Sequence, residues 1–433
     1  MKIKTKDNRK KNNVDVLLFI IMMLIMIMPG CQKRTSIQNI QTALPKPTGP
    51  YAVGSRYFYL IDKDRPNLIS PDPHDYRAIS LRVWYPAEPG PGDQLIPLSD
   101  KERTEAYVQA GVFDSSILTE WALEPTHSFL KVPPARTKNP YPVILYSSSG
   151  VMNANIFLSE ELASHGYVVF SIGHPYWCEF YYDAQGKIIP FDKNNEYYQQ
   201  LWKEEGSQRA KEIKEKITRA KSIKDKLDLY KELNQAMPTE VSDLRLWSDD
   251  IGFIIDQLKE MNSKSGFFKG VLDVNRIGLI GYSKGGAAAG QYCLNQDDRC
   301  KAGINLGGFM FGDIVKENLK KPFLIMEHIE PWCPDCLPIG KFFFQRAESS
   351  AYMVNIRNAL HGNFTDLSVA KKYIKPEGVL GTIEGEKFLK IMKYYVSTFF
   401  DKYVKEEPGM VIKDLSREYP EVIFESRNGP PTG

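Results

Sequence analysis

Short, mostly apolar runs of five or six residues alternate with helical stretches along the middle of this chain, and this alternation restricts the fold more than any other feature. Strands without polar alternation are buried on both faces, which is typical of a parallel sheet covered by helices. The sequence therefore predicts an α/β architecture with a mostly parallel central sheet. The predicted strands are Pro142–Tyr146, Tyr167–Ile172, Arg276–Gly281, Ala302–Leu306, Pro322–Met326 and Ser350–Val354, and the predicted helices are Ile156–His165, Trp247–Met261 and Lys284–Cys293.

The front of the chain has a different pattern. Residues Tyr57–Ile61 and Ile79–Tyr85 alternate apolar and polar positions, which predicts half-buried antiparallel strands. We expect one large domain over residues 50–404. It includes a charged helical insertion over 194–237, which could act as a cap, and a polar C-terminal extension follows it over 405–433.

Composition and charge exclude several classes of protein. With 433 residues, 42% of them hydrophobic, the chain can bury a large core, so a disordered or collagen-like protein is excluded. Residues 1–30 hold six Lys/Arg and two Asp, a net +4, so the remainder of a chain whose total is +3 carries −1. A nearly neutral body has no basic field for nucleic acid, and we expect no nucleic-acid partner.

The N-terminus has the pattern of a removable signal. After a basic segment, Val16–Met28 is an apolar run of 13 residues. As a helix it would span about 20 Å, less than the roughly 30 Å of a bilayer core. Pro29 and Gly30 precede Cys31, so residues 1–30 resemble a bacterial lipoprotein signal, with Cys31 lipidated and residues 31–49 forming a tether.

This anchor implies a place in the cell. Because Gln32 rather than Asp follows the cysteine, we expect the bacterial cell envelope, at the outer membrane facing the periplasm or the exterior. The membrane surface would then be a partner through the lipid anchor. The alternative is a simple secretion signal, with a secreted or periplasmic soluble product.

The motif Gly281-Tyr-Ser283-Lys284-Gly285 fits G-x-S-x-G. It follows a predicted strand and opens a predicted helix, which is the strand–turn–helix context of a nucleophile elbow. Ser283 is therefore the candidate nucleophile, and the amide of Lys284 is a candidate oxyanion donor at the helix N-terminus.

A serine nucleophile needs a neighbouring base, and in α/β-hydrolases a histidine follows the serine late in the chain. Two histidines follow Ser283, namely His328 and His361. His361 lies in a loop after the last predicted strand, so it is the candidate base.

The chain resembles the plasma-type platelet-activating-factor acetylhydrolase family of α/β-hydrolases. The resemblance rests on Thr48–Gly54, Val83–Pro86, Leu162–Tyr167, Leu272–Ile277, the elbow and His361–Asp366. It implies the α/β-hydrolase fold and hydrolysis of short or oxidised acyl groups at the second position of glycerophospholipids, without calcium. We expect no metal and no organic cofactor, and a phospholipid or another amphiphilic ester as substrate.

Two positions depart from the family pattern. Gly307 stands where the family places its catalytic Asp, so another carboxylate has to orient the histidine if the triad is complete. Glu330, just after the strand ending at Met326, is our candidate acid, with Asp313 and Glu327 as alternatives.

The second departure is upstream of the elbow. Residues 147–150 read Ser-Ser-Ser-Gly where the family has His-Gly. The amide of Gly150 is the candidate for the second oxyanion donor, because a backbone N–H does not depend on side-chain identity. The serine hydroxyls could add donors or satisfy a turn.

Four cysteines are candidates for disulfides. Cys293 and Cys300 could form a local bridge, and Cys333 and Cys336 a loop bridge. Trp332-Cys-Pro-Asp-Cys336 also matches a thioredoxin-type motif, and His328 could add to a zinc site there, but the surrounding pattern favours the disulfide.

Two alternative functions stay open. A general carboxylesterase or polyester hydrolase would use the same elbow and histidine, because these do not specify the alcohol of the ester. A catalytically silent lipid-binding lipoprotein would explain the missing acid at Gly307.

Overall fold

The structure is a computed structural model that describes residues 44–428 except 69, 71, 73, 110–120, 149–153, 176, 178–179, 183–186, 191, 193, 296, 330–338 and 373–377. The predicted signal, Cys31 and the tether up to residue 43 lie outside these residues, as do Gly150, Glu330, Cys333 and Cys336.

The described strands form one large sheet and one small hairpin. They are β1 (Ala52–Pro66), β2 (Tyr76–Ala87), β3 (Leu95–Pro97), β4 (Pro125–Leu130), β5 (Tyr141–Ser148), β6 (Val168–Gly173), β7 (Phe180–Tyr182), β8 (Ile188–Pro190), β9 (Leu272–Tyr282), β10 (Cys300–Leu306), β11 (Phe323–His328), β12 (Ala351–Ile356) and β13 (Val422–Arg427).

The described α-helices are distributed along the whole chain. They are α1 (Lys101–Gln109), α2 (Ile156–Ser164), α3 (Glu196–Glu205), α4 (Gln208–Arg219), α5 (Ile223–Ala236), α6 (Pro238–Met261), α7 (Lys284–Tyr292), α8 (Lys341–Arg346) and α9 (Gly385–Tyr403). Single 3-10 turns cover Gly312–Val315, His361–Phe364 and Asp366–Lys372.

The large sheet has the order β13-β12-β11-β10-β9-β5-β6-β2-β1-β4-β3. Its six central strands, from β12 to β6, run parallel. β2 and β13 join this block antiparallel on either side. The predicted α/β class with a mostly parallel sheet is confirmed, and each of the six predicted apolar runs overlaps one of the parallel strands.

Helices cover both faces of the sheet. One apolar core packs α6, α7 and the insertion helices against one face, with Leu201, Tyr230 and Trp247 fully buried. The second core packs α2 and α9 against the other face through residues such as Leu162 and Phe399. Burial on both faces is the physical reason why the central strands carry so few polar side chains.

The predicted helical insertion forms three helices, because Gly206 ends α3, and the side chains of Ser207 and Ser222 accept backbone N–H groups at the starts of α4 and α5. Ile213 and Ile217 of α4 are buried, but Ile223 at the start of α5 is 44% exposed. The following helix, α6, begins at Pro238 rather than at the predicted Trp247, because proline is favoured in the first turn of a helix.

Two further expectations need correction. The C-terminal segment predicted as a polar extension contributes strand β13 at the sheet edge. The side chains of Cys293 and Cys300 are buried free thiols with their sulfur atoms 3.9 Å apart, so the predicted bridge is not formed.

Among the described residues, none of the helices combines the length and apolar character needed to cross a bilayer.

Glu160 of α2 is a fully buried carboxyl group. It accepts hydrogen bonds from the Ser128 hydroxyl at 2.5 Å and the His127 amide at 2.9 Å. Burial nevertheless raises its pKa to about 7, although these donors and the nearby Arg82 oppose the shift.

The first prediction concerns this group. Because its pKa is raised in the folded state, Glu160 stabilises the fold below the unfolded pKa of about 4.3, and this contribution is lost as the pH rises through about 7. We expect Glu160→Gln to remove up to about 1.4 kcal/mol per pH unit from the slope of unfolding free energy over this range. Urea unfolding at several pH values measures it, with exposed Glu102→Gln as control; an unchanged slope would refute the assignment.

Candidate active site

The turn at Ser283 has the geometry of a nucleophile elbow. β9 ends at Tyr282, α7 begins at Lys284, and Ser283 between them has φ 57° and ψ −127°. A positive φ is strained for a residue with a Cβ, and such strain persists only where the surroundings hold it. The strand–turn–helix predicted from the motif is therefore present.

Backbone atoms pack directly against each other around this turn. A Cβ on Gly281 would overlap the carbonyl of Gly285, and a Cβ on Gly285 would overlap the carbonyl of Ser147. The Ser283 amide also donates to the Leu306 carbonyl at 3.1 Å. These contacts explain both glycines of the motif and hold the serine in its strained conformation.

Lys284 is the first residue of α7, so its N–H has no acceptor within the helix. This amide lies beside the half-buried Ser283 at the positive end of the helix. Its position fits the predicted role of oxyanion donor. The side chain of Lys284 points away into the protein, where its ammonium contacts Glu240 and Asp243 of α6.

His361 follows β12 and begins a 3-10 turn. Its ring stacks on Tyr282, the residue before the nucleophile, with centroids 4.8 Å apart. A Cβ on Gly307 would lie 3.3 Å from Nδ1 of His361, and one on Gly308 would overlap the Ser283 carbonyl. The loops after β9, β10 and β12 thus bring Ser283, Gly307 and His361 together at one edge of the sheet.

Gly307 occupies the place from which a side chain would reach the histidine. Its φ of 61° is left-handed, and a Cβ built on it would lie 3.3 Å from Nδ1 of His361. An acid at this position would orient the imidazole, as the family pattern implies. Glycine supplies no carboxylate here, so this departure from the family pattern lies at the position from which an acid would orient His361.

The candidate acids have different surroundings. Asp313 is held by two hydrogen bonds from Arg245, at 2.8 and 2.9 Å, and one from Gln291. Glu327 accepts the Gly340 amide at 2.7 Å and interacts with the Lys226 ammonium. Glu330 lies outside the described residues, but His328 two positions before it has its ring 6.3 Å from that of His361.

The described residues on either side of Gly150, which itself lies outside the described residues, make buried hydrogen bonds. Before it, the Ser147 hydroxyl bonds to Nε2 of His174 at 2.9 Å. After it, the Asn155 side chain donates to Tyr146 and to the Phe364 carbonyl, and Asp366 accepts the first amides of α2. The Ser147 hydroxyl therefore belongs to a buried network.

Neither this network nor the one around Lys284 was predicted from the sequence. Both involve carboxylates of α6, namely Glu240, Asp243 and Asp250. The available signal was their spacing on the apolar side of that helix, together with Leu244, Trp247 and Ile251.

Comparison with known proteins gives three findings. The family model described as "Platelet-activating factor acetylhydrolase, isoform II" matches residues 36–408. A platelet-activating factor acetylhydrolase of Cavia porcellus is 24% identical over 377 residues, which cover 84% of this chain and 78% of that protein. The ferulic acid esterase structure from Streptomyces cinnamoneus has a TM-score of 0.66 at 22% identity, covering 88% of this chain and 98% of the other. That likeness shows a shared α/β-hydrolase fold.

The second prediction tests the backbone packing at the elbow. Gly285→Ala would drive a methyl group into the Ser147 carbonyl, where neither backbone can yield without moving the turn. We expect a loss of about 2–4 kcal/mol in unfolding free energy and at least a roughly 100-fold fall in kcat.

Thermal unfolding and ester turnover measure the two effects. Gly90→Ala is the matched control, because a Cβ there would have its closest neighbour at 3.8 Å. A Gly285→Ala variant as stable and active as Gly90→Ala would contradict this description of the elbow.

Proposed function

Because the chain belongs to the platelet-activating factor acetylhydrolase isoform II family and is a serine ester hydrolase, we propose that it removes short or oxidised acyl groups from glycerophospholipids through an acyl-enzyme on Ser283. The observation that carries the assignment of Ser283 is its strained conformation, at φ 57°, between a parallel strand and a fully buried helix. His361, whose ring stacks on the adjacent Tyr282, supports it.

In the proposed first step, His361 takes the hydroxyl proton of Ser283 and Oγ attacks the ester carbonyl. The amides of Lys284 and Gly150 donate to the oxyanion that develops. The carbonyl–alkoxy bond then breaks, and the lysophospholipid leaves with the proton from His361. Water, deprotonated by His361, attacks the acyl-enzyme and releases the carboxylic acid together with free Ser283.

Glu330 is the proposed acid of this triad. His328, two residues earlier, already lies beside the ring of His361, and Gly307 provides no carboxylate of its own. Asp313 is a weaker candidate, because Arg245 and Gln291 hold its oxygens. A carboxylate on Nδ1 would fix the tautomer in which Nε2 accepts the serine proton.

The third prediction tests the triad by fluorophosphonate labelling of the purified protein. We expect Ser283→Ala to abolish labelling and Glu330→Gln to slow it by about 10²- to 10⁴-fold, because the imidazolium loses its counter-charge. In the Glu330→Gln background, Gly307→Asp should restore part of the rate, since its Cβ would lie 3.3 Å from Nδ1 of His361 and Asp tolerates a left-handed backbone.

Gly307→Asn in the same background is the matched control, with nearly the same shape and no charge. Equal rates for the Asp and Asn variants would mean that a carboxylate at this point does not serve His361. A wild-type rate in Glu330→Gln would remove Glu330 from the proposal. A folded wild type that is not labelled at all would favour the silent lipid-binding protein.

The fourth prediction concerns the substrate. We expect kcat/KM for a glycerophospholipid with an acetyl group at the second position to exceed that for the palmitoyl analogue by at least about 10-fold, since a pocket for short acyl groups excludes added methylenes. Parallel assays with the two phospholipids and a p-nitrophenyl ester give the comparison. Turnover of the aryl ester without turnover of the acetyl phospholipid would identify a general carboxylesterase instead.

A further inference from the structure

Helix α6 carries three buried carboxylates on the face that it packs against the sheet. Glu240, Asp243 and Asp250 are at most 2% exposed, and Trp247 lies between them on the same face. The spacing of three, four and three residues brings all four side chains into one stripe. Buried charges are costly unless they are paired, so their partners indicate what the stripe holds.

The first partner set starts at Asp250. Its carboxylate bonds to Nδ1 of His174 at 2.8 Å, and Nε2 of His174 bonds to the Ser147 hydroxyl at 2.9 Å. Arg77 donates to both oxygens of Asp250, at 2.7 and 2.8 Å.

The charge states of this set follow from its surroundings. Burial alone would raise the pKa of Asp250, but the Arg77 guanidinium holds it well below its usual range. Burial lowers the pKa of His174, which is therefore neutral. In the matching tautomer, Nδ1–H donates to Asp250 and Nε2 accepts the Ser147 hydroxyl proton.

This Ser–His–Asp array is not a second active centre, because Ser147, His174 and Asp250 are all at most 1% exposed. What it holds is the end of β5. The Ser147 carbonyl lies against Gly285 in the first turn of α7, where a Cβ would overlap it. Fixing Ser147 therefore fixes the backbone against which the start of α7 packs, next to the Lys284 amide.

The second partner set surrounds Lys284. Its ammonium contacts Glu240 and Asp243 at 2.6 Å each and lies 4.0 Å from the ring centroid of Trp177. Asp243 also accepts hydrogen bonds from Trp177 and Tyr197. These contacts connect Lys284, whose amide is a proposed oxyanion donor, to α6.

Trp247 connects the two sets. Its ring stacks on His174 with centroids 4.0 Å apart and an interplanar angle of 9°. The same ring lies 5.3 Å from the Lys284 ammonium. One face of α6 therefore contacts Lys284 directly and the end of β5 through His174.

We propose that α6 positions the Lys284 amide as an oxyanion donor: Glu240 and Asp243 hold Lys284, while Asp250, through His174, holds Ser147, whose carbonyl packs against Gly285. The inference rests on the proposed function, because it takes the Lys284 amide as an oxyanion donor. Oxyanion donors act over a narrow range of distance, and a displacement of about 1 Å costs roughly 100-fold in rate. Glu240, Asp243, Asp250, His174 and Ser147 are thus positioning residues that do not touch the substrate.

The fifth prediction compares Asp250→Asn and Asp243→Asn with Asp256→Asn in the full-length enzyme. Asp256 lies on the same helix, with a side chain 67% exposed and paired with Arg299. We expect kcat to fall about 10- to 10³-fold in the first two variants, with KM within about 2-fold of wild type. Asp256→Asn should retain both constants.

Inhibition by an alkyl trifluoromethyl ketone, which forms a tetrahedral oxyanion adduct with the serine, provides a readout that general loosening of the fold would not reproduce. We expect its affinity to fall in parallel with kcat while KM stays constant. Wild-type kcat and ketone affinity in the folded Asp250→Asn and Asp243→Asn variants would overturn the proposal. So would a rise in KM with unchanged kcat.

Ser147→Ala keeps the test decisive if Asp250→Asn does not fold, because it cuts the same connection and leaves the ion pair of Asp250 with Arg77 intact. An unchanged kcat in Ser147→Ala would remove the His174 connection from the proposal. Failure of the underlying function is recognised separately, since wild type and Asp256→Asn would then both lack labelling at Ser283.

Discussion

Direct contact between backbone segments at the Ser283 turn is the constraint on which the rest of the site depends. The strand β9, the start of α7 and the end of β5 approach so closely that no side chain fits at Gly281 or Gly285. This packing keeps Ser283 at φ 57°, where its hydroxyl is presented at the sheet edge. It also fixes the start of α7, and with it the Lys284 amide, against the end of β5. The positions of Ser283 and of the Lys284 amide are therefore set by one packing arrangement.

His361, the proposed base, lies at the same edge of the sheet. Parallel strands end on one side, so the loops after β9, β10 and β12 meet there although they are far apart in sequence. His361 packs between Tyr282 and Gly307 as a result. The family relationship identifies this chain as an ester hydrolase. Because Gly307 has no carboxylate, any acid that serves His361 comes from another segment, and at the end of β11 the ring of His328 lies 6.3 Å from that of His361.

The charged insertion is more than a solvated surface. Its helices α4 and α5 carry most of its charge, whereas Tyr197 of α3 donates a hydrogen bond to Asp243 of the following helix α6. Pairing Lys284 with two carboxylates of α6 recovers electrostatic energy that burial of the ammonium would otherwise cost. Through Tyr197 and Asp243 the insertion is connected to Lys284, the residue after Ser283.

The sequence by itself determined the class of fold and the strand–turn–helix around Ser283. Apolar runs such as Pro142–Tyr146 identify strands buried on both faces, and the glycines around Ser283 identify a turn with no room for side chains, because both signals are local in the chain. The order of Ser283 and His361 could also be read from the sequence. Element boundaries were predicted less well, since the insertion forms three helices with breaks at Gly206 and Ser222, and the C-terminal segment adds strand β13. The reason is that capping and edge pairing depend on local geometry that hydrophobic periodicity does not encode.

Only the tertiary structure decided which polar groups pair. His174 and Asp250 are separated by 76 residues, and Lys284 and Glu240 by 44, yet each pair is in contact and buried. Likewise, Gly307 was known from the sequence as a departure, but its position against Nδ1 of His361 came from the fold. The physical reason is that hydrophobic periodicity reports which face of an element is buried, whereas the partner of a buried charge is set by how distant elements pack together.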